Sequence, residues 1–169
     1  MTILETERLT LRKITVDDAA FMLDLLSQPS FIQFIGDRGV RTLDDAREII
    51  EERYLTAYEQ LGFGIYLTLL RDTSIPIGIC GLVKRNGLDD VDIGYAFLPR
   101  YWSKGYASEA ALAVLAYARG TLGMKRILGI TTPDNTSSIR VLEKIGLKFE
   151  RMIRLPGENA DLNLFTTEG

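Results

Sequence analysis

The segment from Val91 to Arg119 changes its periodicity once, and that change constrains the fold more than any average over the chain. Val91, Ile93, Tyr95 and Phe97 recur at every second residue, so they share one face of a strand and leave Asp92, Gly94 and Ala96 on the other. The strand runs out at Leu98-Pro99, and an alanine-rich helical run, YASEAALAVLAYAR, begins at Tyr106. A helix N-terminus carries backbone N–H groups without intrahelical partners, and its dipole adds positive potential, so the turn before it is a natural anion site. Here that turn is Trp102-Ser103-Lys104-Gly105-Tyr106-Ala107. Gly105 and the small Ala107 let a phosphate come close to the backbone, and Lys104 adds charge. A plainer reading stands beside this one: Gly105 relieves a tight turn, and the alanines let helix and sheet pack closely.

Two common phosphate-binding motifs are excluded by spacing. No stretch matches GxxxxGK followed by Ser or Thr, and Gly62-Phe63-Gly64 meets Leu67 where a dinucleotide fingerprint requires a third glycine. A kinase-like nucleotide site is thereby unsupported.

On either side of this segment the chain reads as short elements joined by turn residues. Arg8 to Lys13 alternates as a strand, and Thr15 with Asp18 forms a capping-box pattern before the helix AAFMLDLL. Thr42 with Asp45 opens a second helix, with an apolar stripe at Ala46, Ile49, Ile50, Ala57 and Leu61 and a stop at Gly62. Strands starting at Gly64, Ile75 and Val91 predict an antiparallel meander. A strand from Arg126, a helix from Asp134 or Asn135 to Gly146, and two closing strands, LKFERMIRL and ADLNLFT, complete the order β-α-α-β-β-β-α-β-α-β-β. This order predicts an α/β (α+β) fold with helices packed on a mixed sheet, in one domain over residues 1–169.

Composition narrows the chemistry. The chain has no histidine, so histidine bases, Ser-His and Cys-His nucleophiles and most catalytic zinc sites are excluded, and no metal site is expected. Its one cysteine, Cys80, lies in the apolar run IPIGICGLV and reads as a buried strand thiol rather than a nucleophile. A net charge of −3 and a pI near 5.1 argue against nucleic acid as a partner. The apolar runs at Ala110–Ala118 and Ile75–Val83 are about half the ~20 residues a membrane span requires, and MTILETERL has no signal-peptide pattern. A cytoplasmic protein without membrane contact is expected.

Four segments, RLTLRKITVDDA, IPIGICGL, DIGYAFLPRYWSKGYASEA and NTSSIRVLEKIGL, in that order and spacing, resemble the GNAT acyltransferase superfamily, most closely its RimJ/RimL-like protein N-acetyltransferases. The resemblance spans nearly the whole chain. It implies a mostly antiparallel sheet whose fourth and fifth strands, those starting at Val91 and Arg126, run parallel and splay apart. The pantetheine arm of acetyl-CoA lies in that splay like an added strand. The cofactor contacts it implies are the strand end at Phe97 and Leu98, the pyrophosphate loop Trp102, Ser103, Lys104, Gly105, Tyr106 and Ala107, and Asn135 on the pantetheine amides. Trp102 stands where the superfamily usually has Gln or Arg.

The resemblance also implies catalytic roles. Asp92, beside the small Gly94 and Ala96, is the candidate base; the alternative is a solvated strand edge within Asp89, Asp90 and Asp92. Ser138, three residues after Asn135, is placed near the thioester sulfur, although Asn135 and Ser138 also suit ordinary N-capping. Many members carry a tyrosine acid seven residues after that Asn; here the position is Leu142, which leaves Ser138 or water as the thiolate donor. Glu158 is the reserve base, and Glu109, in the first turn of its helix, reads as structural. The function implied is acetyl transfer from acetyl-CoA to a primary amine by direct attack, with a protein or peptide N-terminus leading as acceptor and a homodimer among the expected assemblies. A small-molecule amine acetyltransferase and a non-catalytic acyl-CoA sensor are the alternatives.

Overall fold

The computed structural model describes residues 2–167. Eight strands form one sheet: β1 (Thr2–Glu5), β2 (Leu9–Lys13), β3 (Ile65–Leu70), β4 (Pro76–Val83), β5 (Asp92–Phe97), β6 (Leu128–Thr131), β7 (Lys148–Ile153) and β8 (Leu162–Thr166). Their spatial order is β1-β2-β3-β4-β5-β6-β8-β7, antiparallel throughout except for the parallel neighbours β5 and β6. The meander expected from residues 64–98 is present as β3, β4 and β5. β1 is too short to announce itself in the sequence and joins through an irregular register with β2.

Six helices cover the two faces: α1 (Ala19–Leu26), α2 (Pro29–Phe34), α3 (Leu43–Ile49), α4 (Thr56–Leu61), α5 (Tyr106–Gly120) and α6 (Thr136–Lys144). On one face Ala110, Ala111, Val114 and Ala118 of α5 pack against Tyr66, Cys80 and Ile93. Alanine lets the helix close on the strands, as its composition implies. α6 reaches β6 at Gly129, where an added Cβ would stand 2.8 Å from Leu142. On the other face α1 and α3 pack against Leu67, Leu69 and Ile79. Burial of these apolar side chains, roughly 1.5–3 kcal/mol for each valine, leucine or isoleucine and less for each alanine, holds both layers to the sheet.

The helix expected from Thr42 to Gly62 is continuous but not regular. Thr42 caps α3 by accepting from Asp45 N–H at 3.1 Å, and Gly62 ends α4 in left-handed backbone, φ 79°. Between α3 and α4, residues Ile50–Leu55 form π-helical turns. A π-turn adds a residue to each turn and rotates the helix beyond it. The buried side chains are accordingly Ala46, Ile50, Tyr54 and Tyr58, spaced by four, while Leu61, expected on the apolar stripe, is 43% exposed. The same rotation brings Arg53 and Tyr54 to the edge of a cleft that opens between β5 and β6. Among the described residues no helix is long and apolar enough to cross a membrane.

Candidate active site

β5 and β6 share one registered pair, Asp92 with Leu128, and then part. A cleft of about 670 Å³ opens where they separate, walled by Gly94 to Phe97, by Ile130 and Thr131, and by Asp134 to Ser138 at the start of α6. The loop before α5 closes one end of it. Asp92, with Arg38, Arg53, Tyr54 and Arg85, closes the other. The length of β5, at about 3.3 Å per residue, sets these ends roughly 17 Å apart.

At the loop end, Ser103 and Gly105 both adopt left-handed backbone, φ 62° and 83°. Left-handed residues in such a turn form an anion-binding concavity of N–H groups. Among the described residues no protein acceptor takes the N–H groups of Ser103 to Ser108; Glu109 N–H is the first to bond, to the Gly105 carbonyl at 3.0 Å. The loop is held by Arg8, whose Nη1 donates to the Lys104 carbonyl at 3.0 Å and whose Nε meets Glu109 at 2.7 Å. Glu109 also accepts from Thr6 Oγ1 at 2.5 Å, which gives it the structural role expected of it. A Cβ at Gly105 would stand 3.3 Å from Arg8 Nη2.

Not every residue expected to touch the cofactor faces the cleft. Phe97, Trp102, Ser103, Gly105, Tyr106, Ala107 and Asn135 line it, whereas the Lys104 side chain is exposed outside it. Leu98 is fully buried in the core beneath, with its N–H bonded to Ile77 O at 3.0 Å. Trp102 donates its indole N–H to Phe97 O at 2.8 Å, pinning the loop to the end of β5.

On the cleft wall, Asn135 Oδ1 accepts from Ser138 N–H at 3.2 Å, an N-cap that holds Ser138 in place. Ser138 Oγ lies 2.9 Å from Tyr95 Oη, and Tyr95 O–H donates to the Ser138 carbonyl at 3.0 Å. Burial pushes the Tyr95 hydroxyl far above its ordinary range, so it stays protonated. The alternation of β5 groups Tyr95 with the apolar Val91, Ile93 and Phe97, and that pattern does not mark it as a site residue. A hydroxyl at that register, beside Asn-x-x-Ser, was the available signal. Leu142 is buried against Gly129, away from the cleft.

At the far end Asp92 is completely buried, which removes the alternative of a solvated strand edge. Its Oδ1 accepts from Arg85 Nε at 2.9 Å, and among the described residues its Oδ2 has no hydrogen-bond partner. Burial lifts the carboxyl from 3.8 to about 6, outweighing the Arg85 charge that opposes it. Glu158 is exposed in the loop between β7 and β8 and does not line the cleft. Nothing in the sequence pointed to Arg38, Arg53 or Arg85, which come from three separate parts of the chain.

The resemblance to the GNAT superfamily implies a splayed parallel strand pair beside a helix N-terminus with free donors, and both are present here. A family model described as an acetyltransferase (GNAT) domain matches residues 8–148. The chain belongs to the GNAT acetyltransferases. Within them it falls in the RimJ/RimL-type branch. It is 32% identical over 145 residues to the N-acetyltransferase YnaD of Bacillus subtilis, covering 86% of this chain and 82% of that one. A GNAT-family acetyltransferase from Bacillus anthracis superposes with a TM-score of 0.80 at 30% identity, covering 98% and 97% of the two chains. RimL, a ribosomal L7/L12 alpha-N-protein acetyltransferase solved with coenzyme A, shares the fold with a TM-score of 0.83 at 16% identity, covering 98% of this chain and 97% of that one. The chain is thus an acetyl-CoA-dependent N-acetyltransferase. The GNAT pyrophosphate site fits the loop found here, since it needs backbone donors and the N–H groups of Ser103 to Ser108 have no protein acceptor among the described residues.

Proposed function

We propose that the chain acetylates the α-amine of a peptide or protein N-terminus by direct attack, with Asp92 as base and Ser138 serving the departing sulfur. The observation that carries this reading is a cleft-lining carboxyl, Asp92, held near 6, whose buried Oδ2 has no hydrogen-bond partner among the described residues. At neutral pH that carboxylate is ionised and accepts the amine's proton, directly or through water, as nitrogen bonds to the thioester carbon. The C–S bond then breaks, and the Ser138 hydroxyl, held beside Tyr95 Oη at rest, turns to the thiolate and gives it the proton with which it leaves as the thiol, water returning a proton to Ser138.

A weak base of this kind suits an α-amine. With a reference pKa of about 7.7–8.0 such an amine is roughly a tenth neutral at pH 7, against about one molecule in several thousand for lysine near 10.4. The activity named for RimL points the same way. Cys80 lies buried in the core outside the cleft, with its thiol pushed far up by burial, which favours direct attack over a cysteine-bound acyl group.

Mass mapping of a peptide that carries a free N-terminus and an internal lysine tests the acceptor. After incubation with enzyme and acetyl-CoA, acetyl is expected on the N-terminal amine. Acetyl found mainly on the lysine overturns the reading.

A further inference from the structure

We infer that the acceptor carries a carboxylate close to its reactive amine, and that Arg38, Arg53 and Arg85 bind it at the closed end of the cleft. The inference rests on the proposed acceptor reading and names the substrate class within it. Arg38 lies in the loop between α2 and α3, Arg53 in the π-helical turns and Arg85 just after β4, and all three line the cleft. Among the described residues the acid lining this end is Asp92, which pairs with Arg85 and also feels the Arg53 charge. Among the described residues neither Arg38 nor Arg53 forms an ion pair or side-chain hydrogen bond. Burial above all, then the charges of Arg53 and Arg85, hold Arg38 below its ordinary range, against the opposing effects of Tyr54 and of the exposed Glu158.

Arg38 is half-buried and Arg53 exposed, and with Asp92 paired to Arg85 their guanidiniums repel one another with no ion pair of their own among the described residues. A fold tolerates that where an anion is to be bound. The planar fork of Arg matches a carboxylate bidentately, so Arg38 and Arg53 are suited to grip one between them. Asp92 Oδ2 supplies the second half of the pattern. Among the described residues it is a buried acceptor with no hydrogen-bond partner, on a residue that lines the cleft, and a small side-chain movement would bring it to an ammonium there. An anion acceptor beside cation donors describes a ligand with an amine and a carboxylate a few bonds apart. In a peptide this is an acidic side chain within the first residues; in a free amino acid it is the α-carboxylate. Polyamines and aminoglycosides carry only positive charge and meet repulsion here.

Initial-rate measurements on peptides that begin Ser-Asp, Ser-Asn and Ser-Lys, on free aspartate and on spermidine test this. The Ser-Asp peptide is expected to exceed Ser-Asn in kcat/KM by roughly 10- to 100-fold, the weight of one or two charge-assisted hydrogen bonds, with the difference residing in KM. Arg38→Gln and Arg53→Gln should each bring the Asp/Asn ratio toward one. Equal rates for the Asp and Asn peptides overturn the inference while leaving the N-terminal reading intact. Free aspartate acetylated with every peptide inert overturns the N-terminal reading and upholds the carboxylate. Spermidine as the best acceptor overturns both. If a variant does not fold, the wild-type ratio alone still decides.

Discussion

The two ends of the cleft are built from different materials. The end that faces α5 is made of backbone: a left-handed Ser103, a left-handed Gly105 and a first helical turn whose N–H groups have no protein acceptor among the described residues. The end that faces the π-helical turns is made of side chains: one buried carboxyl and three guanidiniums drawn from distant segments. Any sequence that turns the chain the same way can supply the first, so it suits a group common to every turnover, the CoA pyrophosphate. The second depends on residue identity, so it is where we propose that chemistry and acceptor choice reside. Substitution at the two ends should therefore fail differently, in acetyl-CoA affinity at one and in proton transfer at the other.

The largest effect is expected at the side-chain end. Asp92→Asn removes the proposed base and should lower kcat/KM at pH 7 by roughly 10²- to 10⁴-fold, with acetyl-CoA affinity little changed. The wild-type acid limb should fall as pH drops through about 6, where the raised carboxyl takes up its proton. The variant should lack that limb and recover part of its rate at higher pH, where more amine is neutral. Stability carries the opposite sense. A carboxyl whose folded value is raised favours the folded state below its unfolded value, and that contribution is lost as pH rises through about 6. The melting temperature of wild type relative to Asp92→Asn should accordingly decline between pH 5 and pH 7. An unchanged pH-rate profile would move the base elsewhere, to Glu158 first, and dissolve the contrast between the ends.

Legibility in the sequence divides along the same line. Strands β2 to β8, helix α1, α5 and α6, and the loop before α5 are local patterns of period, cap and turn residue, and the sequence displays them directly. The four residues of β1 and the six of α2, which starts at Pro29 right behind α1, are too short to show a period. The π-helical turns leave no mark in residue type, and they move Leu61 outward and Tyr54 and Tyr58 inward. Arg38, Arg53 and Arg85 were hidden for the same reason. They meet only when a loop, a π-turn and a strand end are brought together, and no spacing rule connects them. Asp92 was visible as a small-residue-flanked acid, but its burial, which decides its chemistry, is a property of the packed sheet.

A second, smaller effect is expected at the backbone end. Gly105 holds φ 83°, and a Cβ there would press on Arg8, which braces the loop. Gly105→Val should raise the Kd for CoA by roughly 10²-fold by disturbing N–H donors that each contribute about 1.5–3 kcal/mol toward a charged acceptor. Far-UV circular dichroism should remain that of the folded domain. Calorimetric titration with CoA measures the effect, and a folded variant that binds as tightly as wild type would remove this loop from the cofactor site.

The smallest effect separates the two materials within one loop. Lys104 sits beside Gly105 and supplies its carbonyl to Arg8 at 3.0 Å, while its own side chain is exposed and outside the cleft. Lys104→Ala keeps that carbonyl and the loop's N–H groups and removes only a solvated charge. An exposed charge pair contributes about 0–1 kcal/mol and is screened by salt, with a Debye length of about 8 Å at physiological ionic strength. The variant's KM for acetyl-CoA should thus rise no more than about fivefold at low salt, and the difference should shrink toward nothing as salt approaches about 0.5 M. Gly105→Val, acting through backbone geometry, should keep most of its defect over the same range. Measuring KM for both variants across a salt series checks this directly. A Lys104→Ala defect as large as that of Gly105→Val, or one that persists at high salt, would mean that a side chain rather than the main chain grips the pyrophosphate, and the two ends of the cleft would then be built alike.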